Sequence, residues 1–291
     1  MSRRPRSACL LAVLVIPLAA CSASSQPRPT PSPAAQATPT PAPSEFTSAF
    51  PRGAYGKDGT ASGYDLIRSA GFNAVMTGAF RADLDALQAQ GLKGVVWLGQ
   101  GYNTQCVWQY DDAWIRAHVS ATAGHPAILA YYLGDEPSVA LCPEAPARYR
   151  ARSELVHSID PDHATFTVLQ VNDHGNRFDY APWLGTVDIV GFDVYPCNHT
   201  DAACDFSKID TAVAAAGQAG FTRYWAIVQD FQDSFYRVPT PDELRAEFEH
   251  WDRSGMSGYF VFSWNWKGLS LGTLPDNVAE LKQENQLHGG E

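Results

Sequence analysis

Two adjacent carboxylates, Asp135 and Glu136, close an apolar run that begins at Ala127, and Pro137 follows at once. Neighbouring acids repel, so ionising both is costly and one of them holds its proton to higher pH. A carboxyl that stays protonated near neutrality can serve as a general acid. Other apolar runs end on groups of the same kind. Gln170 and Asn172 follow one, Asp193 and Tyr195 a second, Gln229 and Asp230 a third, and Trp264 and Trp266 a fourth. Each of these residues can move a proton, hold a hydroxyl or cover an apolar surface. Their chemistry requires that separate chain segments bring them to one place.

The segments that carry them read as buried strands. Short apolar runs without strict alternation span Phe50–Tyr55, Asn73–Met76, Gly94–Leu98, Ile128–Leu133, Thr165–Leu169, Val187–Phe192, Tyr224–Val228 and Tyr259–Phe262. Amphipathic, helix-like stretches lie between them near 61–70, 82–90, 111–123, 144–159, 206–219, 241–254 and 275–284. Asp111, Ser207 and the run Thr240-Pro241-Asp242-Glu243 are cap signals. Gly71, Gly91, Gly220 and Gly255 stand where helices should end. Eight strand–helix alternations predict a single (β/α)8 barrel of class α/β, with the polar groups at the C-terminal ends of its strands. The glycine-rich Gly53–Gly59 segment has neither dinucleotide nor Walker spacing, so no nucleotide cofactor is expected.

The ends of the chain are of another kind. Arg3, Arg4 and Arg6 precede a short apolar core from Leu10 to Leu18, and Leu18-Ala19-Ala20-Cys21 resembles a bacterial lipobox. Residues 1–20 are therefore expected to be a lipoprotein signal peptide, with Cys21 carrying lipid. Residues 22–44 are rich in Pro, Ala, Ser, Thr and Gln and read as a semi-rigid tether behind Cys21. The barrel would occupy 45–291, anchored at the extracytoplasmic face of the cell membrane and acting as a monomer. The formal net charge of −10 argues against nucleic acid as a partner. Apart from Cys9 and Cys21, four cysteines remain: Cys106, Cys142, Cys197 and Cys204. Four cysteines allow three connectivities. The close spacing of Cys197 and Cys204 suits a loop staple. Cys106 and Cys142 follow neighbouring strands, so the pairs expected are Cys106–Cys142 and Cys197–Cys204. No histidine stands at a ligand-like spacing from them, so no metal site is expected.

Carboxyls, amides and flat rings around one barrel mouth suit a sugar, whose hydroxyls they bond and whose C–H faces they cover. The run Tyr132-Leu133-Gly134-Asp135-Glu136-Pro137 resembles the fourth-strand segment of the large glycoside hydrolase clan that includes cellulases and β-galactosidases. In those enzymes the glutamate is the acid/base. Asp188–Pro196 resembles their sixth strand, with Tyr195 close to the nucleophile, and Trp264 resembles the eighth-strand tryptophan that floors the sugar site. The resemblance implies a glycan substrate, Glu136 as general acid, and binding roles for Gln229, Tyr195, Trp264, Trp266, Asn172 and Gln170. Two positions depart from the pattern. Asp135 replaces the usual asparagine, and Gln229 stands where a nucleophilic glutamate belongs. A glutamine cannot form a glycosyl ester. Four readings follow. An inverting enzyme would use Asp193 or Asp230 as base across the cleft from Glu136. A shifted retaining enzyme would use Asp230 as nucleophile. A substrate-assisted enzyme would use Asp135 to orient an N-acetyl group. A glycan-binding protein would cleave nothing.

Overall fold

The computed structural model describes residues 49–102, 105–173 and 175–289. The signal peptide, Cys21 and the tether lie outside them. Eight parallel strands close into one barrel: β1 Arg52–Ala54, β2 Ala74–Gly78, β3 Lys93–Trp97, β4 Ile128–Tyr132, β5 Ala164–Gln170, β6 Ile189–Asp193, β7 Tyr224–Gln229 and β8 Tyr259–Phe262. Every strand begins and ends within two residues of its expected range. Each pairs with its neighbour in sequence, and β8 returns to β1 with Arg52 opposite Tyr259.

Among the described residues, seven α-helices surround the barrel: α1 Asp65–Ser69, α2 Arg81–Ala89, α3 Asp112–Thr122, α4 Ala145–His157, α5 Ser207–Ala219, α6 Pro241–Ser254 and α7 Pro275–Leu287. Their boundaries follow local chemistry. Asp111 accepts from the Trp114 N–H at the start of α3. Thr240 and Glu243 form a reciprocal capping box on α6, with Pro241 in its first turn. Gly220 and Gly255 end α5 and α6 in the left-handed conformation that only glycine adopts freely. Ser207 does not cap α5. Its hydroxyl instead donates to Asp205, and Phe206 holds the cap position.

No helix was expected between β5 and β6, and none forms there. Between β5 and β6 the chain makes a two-stranded ribbon (Asn172–Asp173 with Asn176–Arg177) and a 3₁₀ turn at Ala181–Trp183. Phe178, Tyr180 and Trp183 are buried there and fill the space a helix would take.

Strand alternation divides the core in two. Val75, Val96, Tyr131, Val190, Phe192, Val228 and Val261 point outward, under the helices. Met76, Val95, Ala130, Phe166, Val168, Ile189, Trp225, Ile227 and Phe260 fill the barrel interior. Gly53 faces the Phe260 ring so closely that a Cβ would overlap it, so glycine is required there. Above this packed plug, toward the C-terminal strand ends, the interior becomes polar. Among the described residues, no helix is long and apolar enough to cross a membrane.

Candidate active site

The inward-facing residues at the C-terminal mouth are Tyr55, Trp97, Tyr132, Asp193 and Phe262, each continuing the alternation of its strand. Asp135 and Glu136 arrive from the turn after β4. That turn is set by a backbone contact between Gly134 and Gly101 of the neighbouring loop. A Cβ on Gly134 would lie 2.3 Å from the Gly101 Cα and 2.5 Å from the Tyr149 hydroxyl. Thr167 donates to the Gly134 carbonyl at 2.7 Å and holds the turn from the other side. Glu136 then takes a left-handed backbone, φ 40°. For a residue with a Cβ this costs roughly 1–3 kcal/mol, a kind of strain that concentrates at functional sites.

The turn sends the two acids to different surroundings. Asp135 is half-buried and accepts a hydrogen bond from the Tyr132 hydroxyl. Burial first, and the Glu136 charge second, push its pKa up to about 7. Glu136 stands exposed beside it. Asp193, from the end of β6, is buried beside Glu136. Desolvation and the two neighbouring acids hold its proton well above the usual carboxylate range. Asp135 and Asp193 thus hold their protons to higher pH than ordinary carboxyls do. Tyr55, Tyr132 and Tyr195 surround them, and burial followed by the nearby negative charge raises all three phenols. Their hydroxyls remain proton donors at neutral pH.

The sequence predicted that repulsion between Asp135 and Glu136 would keep a proton in the pair, and assigned that proton to Glu136. In the structure, the burial that retains a proton falls on Asp135 and Asp193. Gln170 ends β5 opposite Asp193 in register, and its carbonyl accepts from Tyr180. Tyr195 packs against Phe231 and Tyr236 at the mouth. Trp266 is 37% exposed and meets Phe262 edge-on. Asn172 is exposed on the β5–β6 ribbon, and its carbonyl oxygen closes its own turn on the Gly175 N–H.

Three expected site residues lie elsewhere. Trp264 has no exposed surface and packs edge-on to Phe72 in the layer between barrel and helices. A ring with no accessible face cannot floor a sugar site. The reason is local: β8 ends at Phe262, and past it alternation no longer orders the side chains. Gln229 is fully buried. Its carbonyl accepts from the Cys197 N–H, and its amide donates to the Cys197 and Arg237 carbonyls, so every polar group is used. It organises two loops and has nothing left for a substrate. Asp230 is also fully buried. It turns outward to Asn277 of α7, which donates to it at 2.8 Å. Neither a cleft-facing base nor a nucleophile can sit there.

The remaining mouth residues, Tyr55, Trp97, Tyr236 and Phe262, were missed from the sequence. Tyr55 and Phe262 were open to a period-two count from Gly53 and Phe260. Tyr236 comes from a loop, where no such count applies.

Both expected disulfides are present, Cys106–Cys142 and Cys197–Cys204. The first ties the β3 and β4 loops beside the acid pair, and the second staples the loop after β6. Among the described residues, Asp252, Glu284 and His288 bring three possible metal-ligand atoms within 4.8 Å of one another. They lie on the C-terminal turns of α6 and α7, at the end of the barrel opposite the acids.

Comparison with known proteins locates the fold. No protein-family model matches the chain, and no curated protein sequence does. Solved structures match across most of it. A β-galactosidase from the haloarchaeon Halorubrum lacusprofundi superposes with a TM-score of 0.62 at 10% identity, over 82% of this chain and 58% of that one. A β-galactosidase from the psychrophilic Marinomonas ef1 gives 0.60 at 11%, over 82% and 59%. A β-glucuronidase from Faecalibacterium prausnitzii gives 0.55 at 16%, over 84% and 50%. The chain thus has the barrel fold of these glycoside hydrolases and spans less than two thirds of their length.

Proposed function

We propose that the protein hydrolyses a glycan by a substrate-assisted route, with Glu136 as acid/base and Asp135 orienting an N-acetyl group. The observation that carries this reading is the contact between Glu136 and Asp193. An inverting pair needs carboxyls roughly 6.5–9.5 Å apart, with a water between them. Here Asp193 lies beside Glu136 and is raised by it, and Asp230 is sealed away from both. Among the described residues, the acids gathered at the mouth are Asp135, Glu136 and Asp193. A nucleophile supplied by the substrate needs no further acid.

In the first half of the reaction the acetamide oxygen attacks its own anomeric carbon. The glycosidic C–O bond breaks, and Glu136 delivers a proton to the leaving oxygen. Asp135 accepts the acetamide N–H and steers its carbonyl. In the second half water attacks the anomeric carbon, Glu136 takes its proton, and the acetamide re-forms. The proton taken from water returns Glu136 to its starting acid form, and Asp193 stays protonated beside it throughout. Retention at the anomeric centre follows. A screen of N-acetylhexosaminides beside the matching unacetylated glycosides, with NMR of the first-formed anomer, tests the route. Hydrolysis of unacetylated sugars alone, or release of the inverted anomer, rejects it.

A second reading keeps the sugar and drops the chemistry. It rests on Gln229, which removes the seventh-strand carboxylate and is consumed by backbone contacts. Tight glycan binding without turnover in the same screen selects it.

We also propose that the protein works outside the cytoplasm, held at the membrane by lipid on Cys21. Two disulfides suit an oxidising compartment, and the lipobox-like Leu18–Cys21 precedes a tether. Cys21→Ser is expected to move the protein out of the membrane fraction. Unchanged membrane association would reject the anchor.

A further inference from the structure

Phe235, on the loop between β7 and α6, exposes 72% of its surface at the mouth of the barrel. Leaving such a ring in water forgoes the stabilisation its burial would bring. A mobile loop could fold the ring away, but this one is held. The Asp233 carboxylate accepts from the Phe235 N–H at 2.7 Å and the Tyr236 N–H at 2.9 Å. The Phe235 carbonyl accepts from the His199 N–H at 3.0 Å. Both backbone polar groups of Phe235 are therefore fixed. Lys267, from the β8 side, binds Asp233 at 3.3 Å, and the Gln229 amide ties the Arg237 carbonyl to the Cys197 loop. The ring is presented on a rigid turn.

It also continues a path of aromatic rings. Tyr195, beside the three carboxyls, packs on Tyr236 with ring centroids 5.3 Å apart, and Tyr236 lies 6.1 Å from Phe235. Across the mouth, Phe262 leads to the half-exposed Trp266 in the same way. We infer that Phe235 is the platform of a second sugar-binding subsite, stacking on the C–H face of a pyranose one or more units from the residue held by Asp135, Glu136 and Asp193. The ligand is an oligosaccharide of unbranched pyranoses. The inference rests on the glycan reading above. It adds that the protein prefers a chain of sugars to a single one.

The test is calorimetric titration in the Glu136→Gln background, which slows turnover. The probes are chitotetraose and cellotetraose, each set against its methyl β-monoglycoside. With Phe235 intact, at least one tetrasaccharide should bind more tightly than its monoglycoside. Adding Phe235→Ala should weaken that tetrasaccharide about tenfold, leave the monoglycoside unchanged and leave the melting temperature unchanged. Phe235→Trp should restore the affinity. Undiminished tetrasaccharide binding by Phe235→Ala overturns the subsite while the glycan reading stands. An equal loss on the monoglycoside overturns it too, since Phe235 would then act at the first sugar. Failure of every probe to bind with Phe235 intact rejects the glycan reading, and the subsite with it.

Discussion

Two groups of buried acids share this barrel, and they differ in access. Asp135 and Asp193 lie inside the mouth, retain protons above the usual carboxylate range, and open to solvent through the exposed Glu136. Asp230 and Glu247 lie between β7 and the helices. Burial pushes Asp230 up to about 7 and holds Glu247 well above its usual range, and each keeps one oxygen without a hydrogen-bond partner among the described residues. Glu247 accepts from the Gln229 N–H and so binds strand to helix. Proton affinity is raised in both groups, yet only the first can meet a ligand. A raised carboxyl pKa therefore marks a functional site only together with an open path and converging partners.

The largest test of that contrast is Glu136→Gln. It keeps shape and hydrogen-bonding reach but removes the proton. Turnover of a natural glycan should fall by about 10²–10⁴, while substrates with good leaving groups lose far less. Undiminished turnover of a natural glycan would erase the distinction between the two groups.

Asp135→Asn sharpens it next. The carboxylate form accepts the acetamide N–H, so activity on N-acetylated substrates should decline as the pH drops below about 7. The variant should lose about 10- to 100-fold, the worth of a hydrogen bond to a charged group, and its residual rate should lack that acidic limb. Persistence of the limb in a pH–rate profile would assign it to another group.

Asp230→Asn should have the smallest effect, on stability and not on rate. A carboxyl raised in the folded state favours folding while it is protonated. That contribution is lost as the pH rises from about 4 toward about 7. The asparagine can still accept from Asn277 and carries no charge to bury. Its melting temperature should exceed that of the wild type at pH 8, and the gap should close toward pH 5. A loss of turnover with an intact fold would show that the sealed acids reach the site after all.

The barrel was readable from its sequence because each strand is a short apolar run between turn and cap signals. Thr240-Pro241-Asp242-Glu243 carried the start of α6 outright; cysteine spacing gave Cys197–Cys204, and placement after neighbouring strands gave Cys106–Cys142. Side-chain direction was readable only while the chain stayed extended. Gly191 and Asp193 share a face, as do Phe260 and Phe262. Past Phe262 the strand ends, and Trp264 drops into the outer layer. Gln229 illustrates another limit. Its position suggested a ligand contact, but its hydrogen bonds belong to backbone groups 32 and 8 residues away in sequence, which no local pattern announces. The segment between β5 and β6, where the sequence offered no helix, indeed forms none. Phe178, Tyr180 and Trp183 cover that flank of the barrel without one.

The pairing of β1 with β8 also constrains how the molecule comes into being. Arg52 meets Tyr259, and the Asn265 side chain donates to the Lys57 carbonyl, so the first strand has its final neighbour only after nearly all the rest has been synthesised. Until then β1 and β7 each present an open edge, and Tyr55 lacks the Phe262 ring that packs beside it. Folding is thus dominated by contacts between distant parts of the chain, a topology that forms slowly and exposes sticky intermediates. A ribosome-bound fragment that stops short of Tyr259 should have no working mouth, and should depend on chaperones in a way the finished barrel does not.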